Sequence, residues 1–297
     1  MAGQSYSLGS DKQSVLIRKA IPADAEVCGR ICYEAFATLA RHHNFEKAFA
    51  NAEEAIGVIN FMFSHPAFYC VVAEQDGKIL GSNCLDERNP ISGIGPISID
   101  PNAQNRSAGR QLMLAVMRRS EEQKFGGIRL VQEAYHNRSL ALYAKLGFVI
   151  REPLSCMQGK GMQKATSGYQ VRPAGASDLA ACNELCMRVH GHDRGGELSD
   201  SIKDGSAIVV ESRGRITGYA TTFAFFGHGV GETNEDLFAL IASASEFLGP
   251  GILIPNRNAA LFRWCLDHGL RVVEQAILMT MGLYNEPAGA YFPSITY

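Results

Sequence analysis

An internal repeat constrains the fold of this 297-residue chain more than any other feature of its sequence. Five residues of the first half recur in the second half at a constant offset of 154 positions: Arg18, Ala20, Asp24, Cys28 and Cys32 recur as Arg172, Ala174, Asp178, Cys182 and Cys186. Further along, Glu74 and Gly77 recur as Glu211 and Gly214. Because a chain of this length can bury two cores, the repeat predicts two copies of one folding unit.

The boundary between the two copies is predicted in residues 159–168, which are polar and rich in glycine. The predicted domains are therefore residues 1–163 and 168–297. In the first copy the pattern predicts a strand, helices, three strands, a helix, a strand, a helix and a last strand. We expect that last strand, which starts at Phe148, to lie at the edge of its sheet.

The composition excludes several classes of protein. The chain is 46% apolar and 20% charged with a net charge of −2, so it has no basic surplus for nucleic acid or an anionic membrane. Its apolar runs are too short to span a bilayer, and residues 1–14 lack the apolar core of a signal peptide, so we expect a cytoplasmic protein. The eight cysteines are scattered, which favours reduced, buried side chains over a metal site or disulfides.

Residues 95–110 combine a short apolar strand, a polar turn and the start of a helix. The strand contains Ile97 and Ile99, and the helix carries one apolar stripe. The stripe is made of Ala108, Leu112, Ala115 and Val116. Free backbone N–H groups at a helix start bind phosphate, and Arg106 and Arg110 add positive charge. The stretch is therefore a candidate site for a pyrophosphate.

The amino-acid sequence of this turn resembles the first signature of the GNAT acetyltransferase superfamily, through Gln104, Ser107 and Gly109. Ser107 stands where the family has a glycine, and a serine fits there if its φ is negative. The resemblance implies acetyl-CoA as co-substrate and no metal. The residues that it implies for coenzyme binding are Ile97, Ser98, Ile99, Gln104, Asn105, Arg106, Ser107, Ala108, Gly109, Arg110, Asn137 and Tyr143.

Residues 135–148 resemble the second GNAT signature. The matching residues are Leu142, Tyr143, Gly147 and Phe148. His136 stands where the family usually has asparagine, and Asn137 follows one position late. The resemblance implies that Tyr143 lies near the coenzyme sulfur and acts as the general acid.

Spacing does not single out a general base. Glu133 and His136 are the candidates, because they end the strand that precedes the second signature. Asp86, Glu87 and a group from the second domain remain open. In the family the region after the first helix lines the acceptor side, so His42 and His43 are candidates for substrate contact, although exposed histidines in a turn are commoner.

The second copy lacks the chemistry of the first. Residues 226–236 stand where the phosphate turn should lie, and they carry Glu232, Glu235 and Asp236 but no arginine. Those carboxylates would repel a pyrophosphate, although they suit the start of a helix. The position of the tyrosine holds Cys265 or, in another register, Phe262. We expect this copy to shape the substrate pocket or to serve a structural role.

The predicted fold class is α/β (α+β), with two tandem GNAT-like domains that each contain a mixed, mostly antiparallel sheet flanked by helices. The resemblance implies an N-acetyltransferase that transfers acetyl from acetyl-CoA by direct attack in a ternary complex. The acceptor is a small amine, an amino-acid derivative or a protein amine, and a homodimer contact is open. The alternative is a catalytically inactive acyl-CoA-binding regulator or scaffold.

Overall fold

The computed structural model describes residues 15–45, 47–104 and 107–296. Asn105 and Arg106, which the resemblance assigns to the coenzyme, lie outside the described residues. Within the described ranges, no helix combines the length and apolar character needed to cross a membrane.

The first unit, residues 15–163, follows the predicted order of elements, except that the signature strand is broken in two. Its strands are β1 (Leu16–Lys19), β2 (Phe68–Gln75), β3 (Lys78–Asp86), β4 (Ile91–Ile94), β5 (Ser98–Ile99), β6 (Gly127–Glu133) and β7 (Val149–Gln158). Its helices are α1 (Ala25–His43), α2 (Ala52–Ser64), α3 (Ala108–Glu122) and α4 (Asn137–Lys145).

The second unit, described over residues 168–296, repeats this order with three shorter helices, a single strand in place of β4 and β5, and an additional last strand. Its strands are β8 (Gln170–Pro173), β9 (Ile208–Ser212), β10 (Arg215–Ala220), β11 (Gly229–Gly231), β12 (Ile252–Pro255), β13 (Arg271–Gly282) and β14 (Ala290–Phe292). Its helices are α5 (Leu179–His190), α6 (Gly195–Lys203), α7 (Asn234–Ser243) and α8 (Ala259–Asp267).

Helices cover both faces of each sheet, because the central strands are apolar on both sides. In β2, Cys70 and Val72 face the cluster with α1 and α2, whereas Val71 and Ala73 face the cluster with α3. This alternation is the two-residue period of a strand. The eight cysteines are all free and buried, as the sequence predicts.

Two mostly antiparallel sheets organise the described residues. The larger has the order β1-β2-β3-β4-β6-β13-β7-β12, with β5 paired to β3, and the smaller has the order β14-β11-β10-β9-β8. Of these strand pairs, only β4 with β6 is parallel. The predicted fold class, two tandem units with mixed, mostly antiparallel sheets between helices, is confirmed.

The two units exchange strands at the centre of the larger sheet. Strand β7 of the first unit pairs with β12 and β13 of the second, and β13 pairs with β6 of the first. The prediction that β7 lies at a sheet edge is therefore wrong. Its residues 154–157 are all buried, which is the burial of a central strand.

The repeated charged residues form the same clamp in both units. Arg18 binds Asp24 (Nη1 to Oδ2, 2.7 Å) and Glu74 (Nε to Oε2, 2.8 Å), which ties β1 to the start of α1 and to β2. Ion pairs of 2.7 Å and 2.6 Å recur among the equivalent residues Arg172, Asp178 and Glu211. The repeat in the sequence is therefore a repeat in structure.

Backbone hydrogen bonds settle which residue of the second unit corresponds to Tyr143. The N–H of Phe148 donates to the carbonyl of Tyr143 (3.1 Å), and the N–H of Leu270 donates to the carbonyl of Cys265 (3.0 Å). The counterpart of Tyr143 is therefore Cys265, and the alternative register with Phe262 is excluded.

The units differ where their fourth and fifth strands part. In the first unit β4 and β6 pair up to Ile94 and Leu130 and then diverge. Their counterparts β11 and β12 lie in different sheets, and β14 pairs with β11 and contacts β12. Gly229 of β11 is pressed against the ring of Phe292, where any side chain would clash. In the second unit β14 thus fills the opening between the two strands.

Candidate functional site

A cavity of about 680 Å³ follows the opening between β4 and β6 in the first unit. One wall contains the start of α3, and the opposite wall contains residues 130–133 of β6 and the inner side of α4. The cavity continues between α1 and the loops of the second unit at residues 224–226 and 248–250. Residues of both units therefore form a single cavity.

The start of α3 opens toward the cavity through Ser107, Ala108, Gly109 and Arg110. No described side chain caps its first turn, and that turn carries no acidic residue. The orphan N–H groups and the positive end of the helix dipole suit an anion. By contrast, the Thr233 and Asp236 side chains cap the first turn of α7, which also carries Glu235. The start of α7 therefore presents no such anion site.

Ser107 adopts a left-handed conformation, with φ 63° and ψ −4°. The condition stated for a serine at this position, a negative φ, is therefore not met, and Ser107 adopts the backbone conformation that favours glycine. The conformation costs a non-glycine residue about 1–2 kcal/mol. The Gln111 amide, which donates to the Ser107 hydroxyl (Nε2 to Oγ, 3.0 Å), helps to hold it.

The segment that follows β4 also lines the opening, through Ile97, Ser98 and Ile99. Gly81 of β3 packs against the Ser98 carbonyl, so a side chain at position 81 would push β5 away. Across the cavity, Arg138 of α4 donates to Gln104 (Nη1 to Oε1, 2.9 Å) and joins the two signature segments. Both of these residues also line the cavity.

Tyr143 reaches the cavity from α4 and is 6% exposed. Its ring lies edge-on to Phe148, with 6.4 Å between the ring centroids. Burial raises the pKa of the Tyr143 phenol to about 12, so the hydroxyl is protonated at neutral pH and can donate a proton.

Two neighbouring residues of β6 bring polar groups to the cavity from opposite faces of the sheet. Gln132 is 7% exposed, and neither its Nε2 nor its Oε1 has a hydrogen-bond partner among the described residues. Glu133 is 8% exposed, and burial together with the nearby Glu274 raises the pKa of its carboxyl well above the ordinary range. Buried polar atoms without partners are rare, and here they border an open volume.

His136 lines the cavity, whereas Asn137 is exposed on α4 and is not among the lining residues. Nδ1 of His136 lies 2.7 Å from the Ser139 hydroxyl. Burial lowers the pKa of His136, so its imidazole is neutral at neutral pH. The equivalent position of the second unit holds Asn258, whose side chain caps α8.

The two histidines that the sequence analysis placed in a turn after the first helix lie instead in the last turn of α1, and they have different surroundings. His42 lines the cavity, whereas His43 packs against Tyr135 with 4.9 Å between ring centroids. Phe45 stacks on the other part of the same tyrosine at 4.5 Å. Asp86 pairs with Arg88 and Glu87 pairs with Arg119. Neither carboxylate is among the residues that line the cavity, so neither is placed there to act as the general base.

The second unit supplies an apolar wall that the motifs do not reveal. This wall consists of Phe225, Phe226, Leu248, Pro250 and Ile295. The N–H of Ile295 donates to the Phe225 carbonyl (2.8 Å), and Arg194 donates to Ser294 (Nη2 to Oγ, 3.3 Å). Sequence reasoning also missed Gln132 and Arg138. The only sequence signals that could have identified them are the strand pattern around position 132 and the presence of an arginine within the second signature.

The structure thus brings nearly all of the predicted site residues that it describes to one cavity, with Asn137 the exception. Those that line it are Ile97, Ser98, Ile99, Gln104, Ser107, Ala108, Gly109, Arg110, Glu133, His136 and Tyr143. In the part of the chain that the structure describes, no group of three or more His, Cys, Asp or Glu side chains could hold a metal ion.

Comparison with known proteins agrees with this geometry. The sequence model described as "Acetyltransferase (GNAT) family" matches residues 29–148. Over 63 residues the chain is 40% identical to the mycothiol acetyltransferase of Nocardia farcinica (strain IFM 10152). That match covers 21% of this chain and 21% of the relative, so it spans only about a fifth of the relative's length.

Three solved structures share the fold over most of the chain. A Pyrococcus horikoshii protein to which acetyltransferase activity is ascribed has a TM-score of 0.75 at 19% identity, covering 100% of this chain and 99% of that one. A GCN5-related N-acetyltransferase from Sphaerobacter thermophilus has a TM-score of 0.60 at 17% identity, and the match covers 92% of this chain and 96% of that one. A tandem GNAT protein from the clavulanic acid biosynthesis pathway has a TM-score of 0.54 at 12% identity, and the match covers 91% of this chain and 98% of that one. Residues 29–148 thus match the model of the GNAT acetyltransferase family, and the two units of the chain have the tandem GNAT fold.

Proposed function

We propose that the chain transfers an acetyl group from acetyl-CoA to an amine acceptor by direct attack, with both substrates bound together in the first unit. The observation that carries the proposal is that one cavity contains the start of α3, Tyr143 and Glu133. An anion site, a proton donor and a proton acceptor are the groups that acetyl transfer to an amine requires.

The cavity fits the coenzyme on its own chemistry. The uncapped first turn of α3 and Arg110 suit a pyrophosphate. The unpartnered amide of Gln132 and the diverging edges of β4 and β6 suit the amide groups of a pantetheine arm. When bound, acetyl-CoA supplies the acetyl group as a thioester.

Tyr143 serves as the general acid. Its phenol is protonated at neutral pH and lies within the cavity, so it can deliver a proton to the departing thiolate. Glu133 serves as the group that receives the proton of the acceptor amine. His136 is neutral and bound to Ser139, and it orients the start of α4 beside the cavity.

The second unit binds no coenzyme and shapes the acceptor end of the cavity. Strand β14 fills the opening between β11 and β12, and the side chains of Thr233 and Asp236 cap the start of α7. The unit instead contributes the apolar wall with Phe225 and Ile295. We therefore expect one coenzyme site per chain.

The test is a steady-state assay of coenzyme A release from acetyl-CoA across a panel of amines, with the acetylated product identified by mass spectrometry. Turnover with an amine, and none with the matching alcohol, supports the proposal. Tight coenzyme binding without turnover would favour the alternative, an inactive coenzyme-binding regulator. The left-handed Ser107 in the phosphate turn is the observation that keeps this alternative in view.

A further inference from the structure

Two carboxyl groups from the two units meet beside the cavity. Glu133 ends β6, and Glu274 lies near the start of β13, the strand that the second unit inserts beside it. Glu133 is opposite Ala276, so Glu274, two positions away, shares its face of the sheet. Their side chains are within hydrogen-bonding reach of each other.

The pair is buried and has no cationic partner among the residues that the structure describes. Glu133 is 8% exposed and Glu274 is 6% exposed. Neither Oε2 of Glu133 nor Oε1 of Glu274 receives a hydrogen bond from an N–H or O–H group of the described residues. The titratable groups that face the pair are Tyr135 and Cys156. Two adjacent carboxylates cannot both ionise cheaply, so one shared proton satisfies both.

The cavity beside the pair is lined mostly by apolar side chains, with His42 and Glu54 among its polar ones. Beyond Glu133, the cavity is bounded by Phe36 and Leu39 of α1 and by Phe225, Leu248 and Ile295 of the second unit. A ligand that reaches Glu133 would therefore place a charged head at a carboxylate and an apolar body against these side chains. A singly ionised carboxyl pair within apolar walls matches a primary ammonium ion on an aromatic or aliphatic body.

We propose that Glu133 and Glu274 act as one proton-sharing pair that selects a primary ammonium acceptor with an apolar body and removes its proton. This inference rests on the proposed acetyl transfer. The acceptor enters as R–NH3⁺ and gives one proton to the singly ionised pair. The neutral amine then forms the C–N bond to the acetyl carbon while the C–S bond breaks. Tyr143 donates its proton to the departing thiolate and receives the second proton of the amine, which yields the amide and coenzyme A. The pair then returns its proton to water.

The protonation of the pair fits this role. Burial and the neighbouring charge raise the pKa of Glu133, and burial raises the pKa of Glu274 to about 7. The pair thus becomes singly ionised near neutral pH, where a base is most effective. Below that range both carboxyls hold protons, and the pair cannot accept another from the acceptor.

The experiment compares kcat/KM across pH 6–10 for the wild type, Glu133→Gln, Glu274→Gln and the double variant. The acceptor probes are 2-phenylethylamine, which has an apolar body, and free lysine, which has a polar one. The matched control is Glu152→Gln, since Glu152 of β7 is also a buried carboxyl of the same sheet but pairs with Arg257 (2.7 Å) and does not line the cavity.

We expect kcat/KM to be about tenfold or more higher for 2-phenylethylamine than for lysine, because a few apolar contacts change kcat/KM by this much. At pH 7 each single variant should lose about 100-fold in kcat/KM, and the double variant should lose no more than either one. Toward the pKa of an alkylammonium, about 10.4, the deficit should shrink, because solution then supplies the neutral amine. Structural damage would not be repaired by pH, and Glu152→Gln should match the wild type.

A second measurement does not depend on turnover. Because the carboxyl pKa values are raised in the folded state, folded protein binds protons more tightly, and stability falls as the pH rises from about 4.5 toward 8. Glu274→Gln lacks this group. Its urea midpoint should therefore fall less between pH 5 and pH 8 than the wild-type midpoint falls.

If the wild type transfers acetyl and the pH profile of Glu274→Gln is the same as that of the wild type, the proton-sharing role of the pair is overturned. The proposed acetyl transfer would then still stand. Parallel urea midpoints for the wild type and Glu274→Gln would also overturn it. Turnover of other amines of the panel with no transfer to 2-phenylethylamine would overturn this inference alone. Absence of transfer to every amine of the panel would overturn both the proposed function and this inference.

Discussion

Tyr143 and Cys265 occupy the same position in the two units, and their side chains decide what each unit can do. Both are buried on a short helix, and burial raises the pKa of each to about 12. Tyr143 borders the large cavity, whereas Cys265 packs in the apolar core of the second unit. At this position the two units therefore differ in what the side chain faces, which is a cavity in the first unit and a packed core in the second.

Replacing Tyr143 with phenylalanine removes the proton donor and keeps the ring against Phe148. We expect kcat to fall about 100-fold, because general acid catalysis contributes on this scale, with little change in affinity for acetyl-CoA. Steady-state kinetics and coenzyme titration measure the two effects. Tyr69→Phe is the control, since Tyr69 lies on β2 outside the cavity. A Tyr143→Phe variant as active as the wild type would remove the tyrosine from the mechanism.

The signatures predicted most of the residues around the coenzyme end of the cavity, because those residues are close in sequence. They could not predict the positive φ of Ser107, because the path of the turn between β5 and α3 sets it. Nor could they find Glu274, which meets Glu133 only through the pairing of β13 with β6. At this scale, the contacts that tertiary structure creates are the ones that sequence reasoning missed.

At the scale of elements, the clamp formed by Arg18, Asp24 and Glu74 fixes the first strand, the first helix and the hairpin of the first unit. It recurs in the second unit around Arg172. The arginine–aspartate pair measures 2.7 Å in both units, and the arginine–glutamate pair measures 2.8 Å in the first and 2.6 Å in the second. The position of each aspartate carboxylate is also fixed by a backbone N–H, at Ile21 in one unit and Gly175 in the other. Similar geometry implies similar energetic roles in the two units.

We therefore expect Arg18→Met and Arg172→Met to lower stability by the same amount, about 1–2 kcal/mol each. This figure is discounted for the partial exposure of both guanidinium groups. Each arginine lowers the pKa of its aspartate, so the loss should be full at neutral pH and shrink as the pH falls through that lowered pKa. Urea unfolding at several pH values measures it.

The control for these variants is Arg30→Met, because among the described residues Arg30 forms an ion pair with Glu26 alone (3.2 Å), on an exposed helix surface. Such a pair contributes little to stability. A large difference between Arg18→Met and Arg172→Met would contradict the equivalence of the two clamps.

Local signals in the sequence account for the hairpin of β2 and β3. Asp76 and Gly77 form its turn with φ of 53° and 73°, as a tight two-residue hairpin requires. They failed for β7, which was expected at an edge and lies between β13 and β12. The burial of a strand on both faces can be read from its sequence, but the partner that covers its edge cannot.

At the scale of the whole molecule, the exchanged strands join two copies into one structure. The larger sheet runs without interruption from β1 of the first unit to β12 of the second. The segment at residues 159–168 is covalently a linker, yet the N–H groups of Met162 and Lys164 donate to carbonyls at the end of α7. The boundary at residues 163 and 168 stays a prediction, since the sheet crosses it.

We predict that cleavage of the chain at Gly168 leaves the two fragments together. Gly168 has a positive φ of 82° and has no neighbouring atoms close to its Cβ direction, so a protease site inserted there should be tolerated. Size-exclusion chromatography of the cleaved protein should give one peak in native buffer and two in denaturant. Two peaks in native buffer would contradict the shared sheet.

The central claim is that the first unit holds one coenzyme at the start of α3. Calorimetric titration with acetyl-CoA tests it directly, with Arg110→Glu as the variant and Arg118→Glu, an exposed arginine further along the same helix, as the control. We predict one site per chain, an affinity at least about tenfold weaker in Arg110→Glu, and no change in Arg118→Glu. Two sites per chain, or no binding at all, would contradict the account.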